Sequence, residues 1–382
     1  MCVALSHQKK AKHLRLTPMT YLKLILSYWK KRTLISTLRQ IQIRKMRSSK
    51  KSMLLKGMVF ISFFISHISM ASVSIEVVDV GSGLCVLGAD EAEERYFVYD
   101  AGHWQNKLCF QHVASKVKQS SLEIVIISHP DSDHIGNLPE ILGKYTPSYI
   151  LHTGYERKRL VTWLKASKAI EKAVNLGAKG IDLSKVGSIS TPMHFNVGNM
   201  DLEVLYGKPT WDGEPLGESE GRNAISIVVK VTAYGKSVLL AGDTVGRHED
   251  TPSATSLYSE LDMVSSLGDV LASDVLIAPH HGANNALSGP FLDSVSPSWI
   301  IFSSGHRYQH PRSKTISRVS EYVSLSYQNL LRTDRGDDEG SLEWDYLRIP
   351  GCKDSAGDDN IDIKINPSGS LTVQYQEAEN RC

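Results

Sequence analysis

The sequence predicts a protein of the mixed α/β (α+β) class in which short buried strands end in loops that carry His and Asp. Three observations carry this reading. Four apolar runs are each followed by potential metal ligands: Ile124 to Ile127 before His129-Pro130-Asp131-Ser132-Asp133-His134, Val238 to Ala241 before Asp243, Val275 to Ala278 before His280-His281, and Trp299 to Phe302 ahead of His310. Residues 157–176 place Leu160, Trp163, Leu164 and Ile170 on one stripe, the period of a surface helix. Ile361 to Ile365 and Leu371 to Tyr375, separated by Asn366-Pro367-Ser368-Gly369, read as a C-terminal β-hairpin.

The N-terminus is a different kind of polypeptide. Of the 43 Lys and Arg, 15 fall within residues 1–71, which hold no Asp or Glu; the remaining 28 face 41 acidic side chains, a net of −13 over residues 72–382. Residues 46–71 combine a basic head, an apolar run from Gly57 to Met70 and the small residues Ser69 and Ala71, which predicts a signal peptide cut after Ala71. That run is too short and too interrupted to span a bilayer, so the mature chain is expected to be exported, periplasmic or extracellular, with no integral membrane segment. Residues 1–45 are either a mis-assigned start ahead of Met46 or a basic extension that binds membrane or nucleic acid. The main domain is expected over 72–350 and a hairpin tail over 351–382. The mature chain keeps Cys85, Cys109, Cys352 and Cys382, an even number suited to an oxidising compartment. Cys352 with Cys382 is one expected bridge, closing a loop of about 30 residues and contributing roughly 3 to 4 kcal/mol. Cys85 with Cys109 is the other.

Ser74 to Val80 reads as a strand ending in the turn Gly81-Ser82-Gly83; Leu84 to Leu87 and Arg95 to Gly102 complete an antiparallel start. Asp79 and Asp100 close strands and are candidates either for turn formation or for orienting metal-bound imidazoles. Glu123 to Ser128 is a strand buried on both faces. Pro130 ends its ladder and biases His129 towards an extended backbone, which lets His129 and Asp131 project to one side. Asp133 and His134 fall where Gly136 to Leu142 turns helical, a favourable place for a carboxylate. Tyr149 to His152 is a short strand. The 157–176 helix bears Arg157, Lys158, Lys165, Lys168 and Lys172 on its other face, with Arg159 nearby, either a solvated face or a contact for phosphates. Asp201 to Tyr206 opens a second half. After a Gly-rich acidic loop, a strand is expected from Asn223 to Val229, returning through Ala233-Tyr234-Gly235 into the strand before Asp243.

A lone His-Asp pair in a loop is ordinarily a cap or turn feature. Four strand ends delivering such residues call for a common cause. The spacing H-x-D-x-D-H offers two ligand pairs for two adjacent cations, and a carboxylate such as Asp243 can bridge them. Imidazoles and carboxylates without sulfur suit zinc, manganese or iron. Paired cations acidify water and clamp the attacked group, so hydrolysis is the chemistry this set supports.

These residues resemble the metallo-β-lactamase superfamily, which implies a four-layer αββα sandwich with metals at strand ends. More narrowly, Asp79-Val80-Gly81-Ser82-Gly83, Asp100-Ala101-Gly102, Ser128 to Gly136, Asn223-Ala224-Ile225-Ser226, Ala241-Gly242-Asp243, Pro279-His280-His281-Gly282 and Tyr308-Gln309-His310-Pro311 look like the soluble hydrolase domain of ComEC-type DNA-uptake channels and its free-standing relatives. The resemblance runs in unbroken order from about residue 74 to 345. It implies that His129 and Asp131 serve a first metal position, that Asp133 and His134 serve a second completed by His281 or His310, and that Asp243 bridges them. His280 and Asp133 become candidates for catalytic roles, His280 by donating to the leaving group or substrate. Asp131 replaces a second His and Asn223 sits near the place of a third-motif His, which shifts the expected cofactor from a dizinc pair towards one or two zinc or manganese ions. Ser82, Leu84 and Asn137 also depart from the pattern near the expected pocket. The function implied is a secreted metal-dependent hydrolase, a phosphodiesterase or nuclease using a metal-bound hydroxide, with a phosphodiester such as single-stranded DNA as its partner. Alternatives are a lactone, thioester or β-lactam hydrolase of the same fold, and a secreted binding module without catalysis.

Overall fold

A computed structural model of the protein describes residues 71–117, 122–337, 343–346 and 356–377. The expected extension 1–45, the expected signal peptide up to Met70 and the expected Cys352 with Cys382 pairing lie outside the described residues. Fifteen strands follow in chain order: β1 Val73–Val77, β2 Val86–Asp90, β3 Arg95–Tyr99, β4 Leu122–Ile127, β5 Tyr149–His152, β6 Lys179–Asp182, β7 Met193–Val197, β8 Met200–Tyr206, β9 Val228–Ala233, β10 Lys236–Leu240, β11 Val275–Ile277, β12 Trp299–Phe302, β13 Leu330–Arg332, β14 Ile361–Ile365 and β15 Leu371–Tyr375. They form an eight-stranded sheet in the order β15-β14-β1-β2-β3-β4-β5-β6 and a seven-stranded sheet in the order β13-β12-β11-β10-β9-β8-β7.

Each sheet changes character midway. In the first, β1, β2 and β3 pair antiparallel, and β3 through β6 pair parallel. In the second, β7 through β10 are antiparallel and β10 through β13 parallel. The parallel strands need covered crossovers, and helices supply them. Alternation along β4 shows the layering: Ile124 and Ile126 face the core between the sheets, together with Val229, Val231, Leu240 and Ile277, whereas Val125 and Ile127 face Trp163, Ile170 and the helix Leu138–Lys144. On the far side, Leu239, Leu276 and Ile300 meet Met263, Phe291 and Ile316 from three helices. The result is the helix-sheet-sheet-helix sandwich that the sequence implied.

Several expected boundaries shift. The helix expected over 157–176 runs from Val161 to Asn175, so Arg157, Lys158 and Arg159 lie in the loop before it. The strand expected from Asn223 begins only at Val228, because Glu218–Ala224 is a short helix led by Glu218 and Glu220 in its first turn. The second strand is Val86–Asp90 rather than Leu84 to Leu87. The hairpin within 351–382 is the edge of the first sheet: β14 pairs antiparallel with β1, and Ile361, Ile363 and Ile365 enter the inter-sheet core. Cys85 and Cys109 form a disulfide that ties the segment before β2 to the helix Leu108–Lys116. No described helix is long and apolar enough to cross a membrane.

The same helix is held to β1 by a buried charge. Glu76, 3% exposed, pairs with His112 Nε2 at 2.6 Å and accepts from Gln376 Nε2 at 2.7 Å and Lys116 Nζ at 3.2 Å. Burial works to raise the Glu76 pKa; the His112 hydrogen bond and the Lys116 charge outweigh it and hold the carboxyl at about 2, against an ordinary 4.5. A depressed carboxyl contributes stability that is complete above its unfolded pKa and is lost as pH falls towards the folded one, here between about 4.5 and 2, worth about 3 kcal/mol. Glu76→Gln is therefore expected to lower the urea midpoint near neutral pH and to match the parent near pH 2. An equal deficit at both ends would show that the carboxylate charge is not what stabilises.

Candidate metal centre

The site lies where strands of both sheets end. His129 follows β4, Asp243 follows β10, His281 follows β11, and Asp100 follows β3. Tyr99 joins the two sheets just beneath, its hydroxyl donating to the Ile227 carbonyl at 2.6 Å. Gly242 allows the turn that delivers Asp243: its φ is +54°, and a Cβ there would sit 2.9 Å from the Cβ atoms of both Ser128 and Ser226.

His129, His134 and Asp243 present ligand atoms within 4.8 Å of one another, as do Asp133, His134 and His281. Asp243 occupies the middle. Its Oδ1 is 3.2 Å from His134 Nε2 and 3.6 Å from His281 Nε2, and its Oδ2 is 3.7 Å from His129 Nε2. His281 Nε2 is 3.9 Å from Asp133 Oδ2.

The outer nitrogen of each imidazole is already committed. His134 Nδ1 donates to Asp100 Oδ2 at 2.7 Å. Ser128 Oγ donates to the same oxygen at 2.6 Å and is thereby left to accept from His129 Nδ1 at 3.0 Å. His281 Nδ1 donates to the Ser303 carbonyl at 2.8 Å. Each ring, when neutral, therefore turns a lone pair on Nε2 inward, the tautomer that a metal requires. The inward atoms His129 Nε2, His134 Nε2, His281 Nε2 and Asp243 Oδ1 are buried and have no hydrogen-bond partner. Four converging orphaned acceptors are the arrangement that a divalent cation satisfies, and the donor set fits one or two such ions.

Electrostatics agree. Burial alone would push the Asp243 pKa up, but His134, His281, His280 and His129 around it hold the carboxyl well below its usual range. Burial lowers His129 and His281. At His134 burial is outweighed by Asp243 and Asp100, which raise it. Asp100, His280 and His281 all have positive φ (59°, 48° and 56°), a backbone cost found where geometry is dictated by function.

The remaining candidates divide. Asp100 stands behind the His134 imidazole, the orienting role rather than the turn-forming one of its two expected roles. Asn223 donates from Nδ2 to His280 Nε2 at 3.2 Å, and His280 Nδ1 donates to Asn285 Oδ1 at 2.7 Å, so both nitrogens of His280 are occupied by amides. His281 is thus the member of the pair that joins the ligand cluster. His310 stands outside both clusters; its ring lies parallel to that of His281 with centroids 6.4 Å apart, and burial pushes its pKa down to about 2.

Two expectations are corrected. Asp131 does not join His129: its Oδ1 accepts from Arg222 Nε and Arg157 Nη1, both at 2.8 Å, and belongs to neither cluster. Two guanidiniums at hydrogen-bond distance have claimed the carboxylate. Asp79 does not back a histidine; its oxygens accept from the backbone N–H groups of Gly81 and Gly357, and burial pushes its pKa up to about 8. Sequence reasoning assigned no role to Ser128, Ser226, Ser303 or Asn285. For the first two a signal was present, because each lies inside a quoted motif beside a ligand or its neighbour.

A sequence profile described as the metallo-beta-lactamase superfamily matches residues 78–297. The chain belongs to the metallo-beta-lactamase superfamily. Among its relatives, competence protein ComA of Neisseria gonorrhoeae is 28% identical over 287 residues, covering 72% of this chain and 33% of its own. ComE operon protein 3 of Bacillus subtilis (strain 168) is 23% identical over 302 residues, again covering 72% of this chain and 33% of its own. This superfamily member therefore spans about a third of the length of those two relatives. A solved structure of the metallo-beta-lactamase fold protein YhfI from Bacillus subtilis aligns with a TM-score of 0.40 at 14% identity, covering 68% of this chain and 95% of that one.

The geometry separates ligands from supports. Asp243→Ala is expected to abolish stable metal binding, and Asp100→Asn to weaken it about 10- to 100-fold by loosening His134. Asp131→Asn is expected to keep the parent's metal content. Equilibrium dialysis followed by elemental analysis measures all three; a lost metal equivalent in Asp131→Asn would return Asp131 to the ligand set.

Proposed function

We propose that this superfamily member is an exported metal-dependent phosphodiesterase that acts on nucleic acid. One observation carries the reading: the ligand cluster opens into a cleft of about 520 Å³ whose wall includes Arg157, Arg222 and Arg312. Ions held by His129, His134 and Asp243, and by Asp133, His134 and His281, would supply Lewis acidity, acidifying a coordinated water and withdrawing charge from the attacked group. The side chains do the rest. Asp131 holds Arg157 at the wall through Nη1, and Nε and Nη2 of Arg157, which bond no described residue, would meet the non-bridging oxygens of a phosphodiester. Arg222, buried and bonded to Glu218 and Ser219 as well as Asp131, anchors that wall.

His280 faces the same cleft and is assigned proton transfer to the departing oxygen. Asn285 fixes its ring through Nδ1. Asn223 can meet Nε2 in either protonation state, with its Nδ2 donor towards the neutral ring or with Oδ1, which has no partner, towards the charged one. The cleft is lined by Glu220 and Glu249 as well as by Arg157, Arg222 and Arg312, and the three guanidiniums are the groups an anionic diester, rather than a lactone or β-lactam, would use. The names of the two bacterial relatives, a competence protein and a competence-operon protein, support a nucleic-acid substrate. The Cys85 with Cys109 bridge supports export, since such bonds persist in oxidising compartments.

Protein prepared from residue 72 is expected to hydrolyse bis(p-nitrophenyl) phosphate and to cleave single-stranded DNA when supplied with manganese or zinc. Chelation or Asp243→Ala should reduce both to background. Metal-loaded protein that is inert towards every phosphodiester, yet opens a lactone or cephalosporin, would replace this function with the alternative hydrolase.

A further inference from the structure

Building on the phosphodiesterase reading, we propose that a groove beside the metal centre is a binding track for single-stranded nucleic acid. Its bases stack on Trp104 and Tyr308, and its phosphates are met by Arg159, Lys165 and Arg307. The groove has a volume of about 670 Å³ and adjoins the metal cleft, with Ser132 and Tyr308 lining both. A strand lying in it would therefore run up to the rim of the cleft that holds the ligand cluster.

The lining has the composition that such a strand requires. Trp104 is 48% exposed and Tyr308 49%, two large aromatic surfaces left in water on the same groove. The Arg307 guanidinium lies 5.4 Å from the centroid of the Tyr308 ring, which places a cation beside a stacking surface. Arg159 comes from the loop before the helix Val161–Asn175, and Lys165 from the second turn of that helix. Both are exposed, and no ion pair with a described residue engages Arg159, Lys165 or Arg307. Lys107 contributes little, because Glu140 neutralises it at 2.6 Å. Three uncompensated cations thus gather on a chain whose net charge beyond residue 71 is −13.

Flat aromatic faces alternating with cations, without a dense set of base-reading groups, bind single strands with little sequence preference. A duplex keeps its bases stacked on one another and cannot offer them to Trp104. The occupant is therefore a single strand.

Fluorescence anisotropy of the metal-loaded protein tests this, using a labelled oligothymidylate, an abasic oligomer of equal length and a duplex over a range of salt concentrations. Oligothymidylate is expected to bind more tightly than the other two. Trp104→Ala should weaken it about tenfold, and Trp104→Phe should restore most of the loss. Arg159→Ala combined with Lys165→Ala should flatten the slope of log affinity against log salt by about 1.4. Equal affinity for oligothymidylate and the abasic oligomer, duplex binding as tight as single-strand binding, or no response to Trp104→Ala overturns the track. Binding and cleavage are read apart. Tight oligonucleotide binding without hydrolysis removes the phosphodiesterase and keeps the groove, whereas hydrolysis of bis(p-nitrophenyl) phosphate without oligonucleotide binding does the reverse.

Discussion

The protein depends on one costly arrangement, a buried carboxylate ringed by inward-facing imidazoles. Asp243 lies 3.2 to 3.9 Å from Nε2 of His134, His281, His129 and His280. Removing a carboxylate from water costs several kcal/mol unless it is paired, and each buried acceptor without a partner adds about 1 to 3 kcal/mol. Without a cation such a cluster is a liability. A divalent ion would compensate the same atoms. Metal binding and the stability of these strand ends are therefore linked, and an ion that binds only the folded chain stabilises it by mass action.

The scaffold tolerates this expense because the ligands stand on rigid elements. β4 delivers His129 from the first sheet, whereas β10 and β11 deliver Asp243 and His281 from the second. A site shared between two sheets is exact only if the sheets cannot slide. The Tyr99 hydroxyl, donating across the interface to the Ile227 carbonyl, and the Ile227 N–H, donating to the Ser128 carbonyl at 2.9 Å, are direct cross-links at that height. Ser128 and Asp100 then fix two rings at once, since one carboxylate oxygen accepts from both Ser128 Oγ and His134 Nδ1. Positioning here is a short relay of hydrogen bonds, each of which decides the tautomer of the next group.

Much of this was legible in the sequence. Apolar runs followed by His or Asp marked β4, β10 and β11 as strands, β4 as one buried on both faces, and the same pattern placed their ligands at strand ends. The helix 161–175 and the β14 with β15 hairpin were visible from periodicity. What failed was local competition. Residues 218–224 carry early carboxylates that favour a helix, which overrode the β-branched reading from Asn223 onward. The pairing of β14 with β1 joins residues nearly 300 positions apart, beyond any window of periodicity. Asp131 could not be assigned from spacing, because H-x-D places a carboxylate beside an imidazole without showing which cation will take it. Arg222, 91 positions downstream, took it instead. Asp79 reads as a strand-end carboxylate in the same way, and its partners are the backbone amides of Gly81, two positions on, and of Gly357, ahead of β14.

Net charge is a poor guide to this protein's ligands for a related reason. The acidic excess beyond residue 71 would ordinarily argue against a polyanion. Yet salt screens exposed charges beyond about 8 Å at physiological ionic strength, so a bound strand responds to the side chains it touches rather than to the distant surface. Several of the acids near the cleft are also already spent: Asp131 is neutralised by two arginines, and Asp243 with Asp133 belongs to ligand clusters that a divalent ion would compensate. The cleft wall also carries Glu220 and Glu249, so what the proposed strand would use are the cations outside any described ion pair, Arg159, Lys165 and Arg307 along the groove. In an acidic protein, such a path also restricts where a polyanion can settle, because repulsion elsewhere leaves the cationic track leading to the metal centre as the favourable approach.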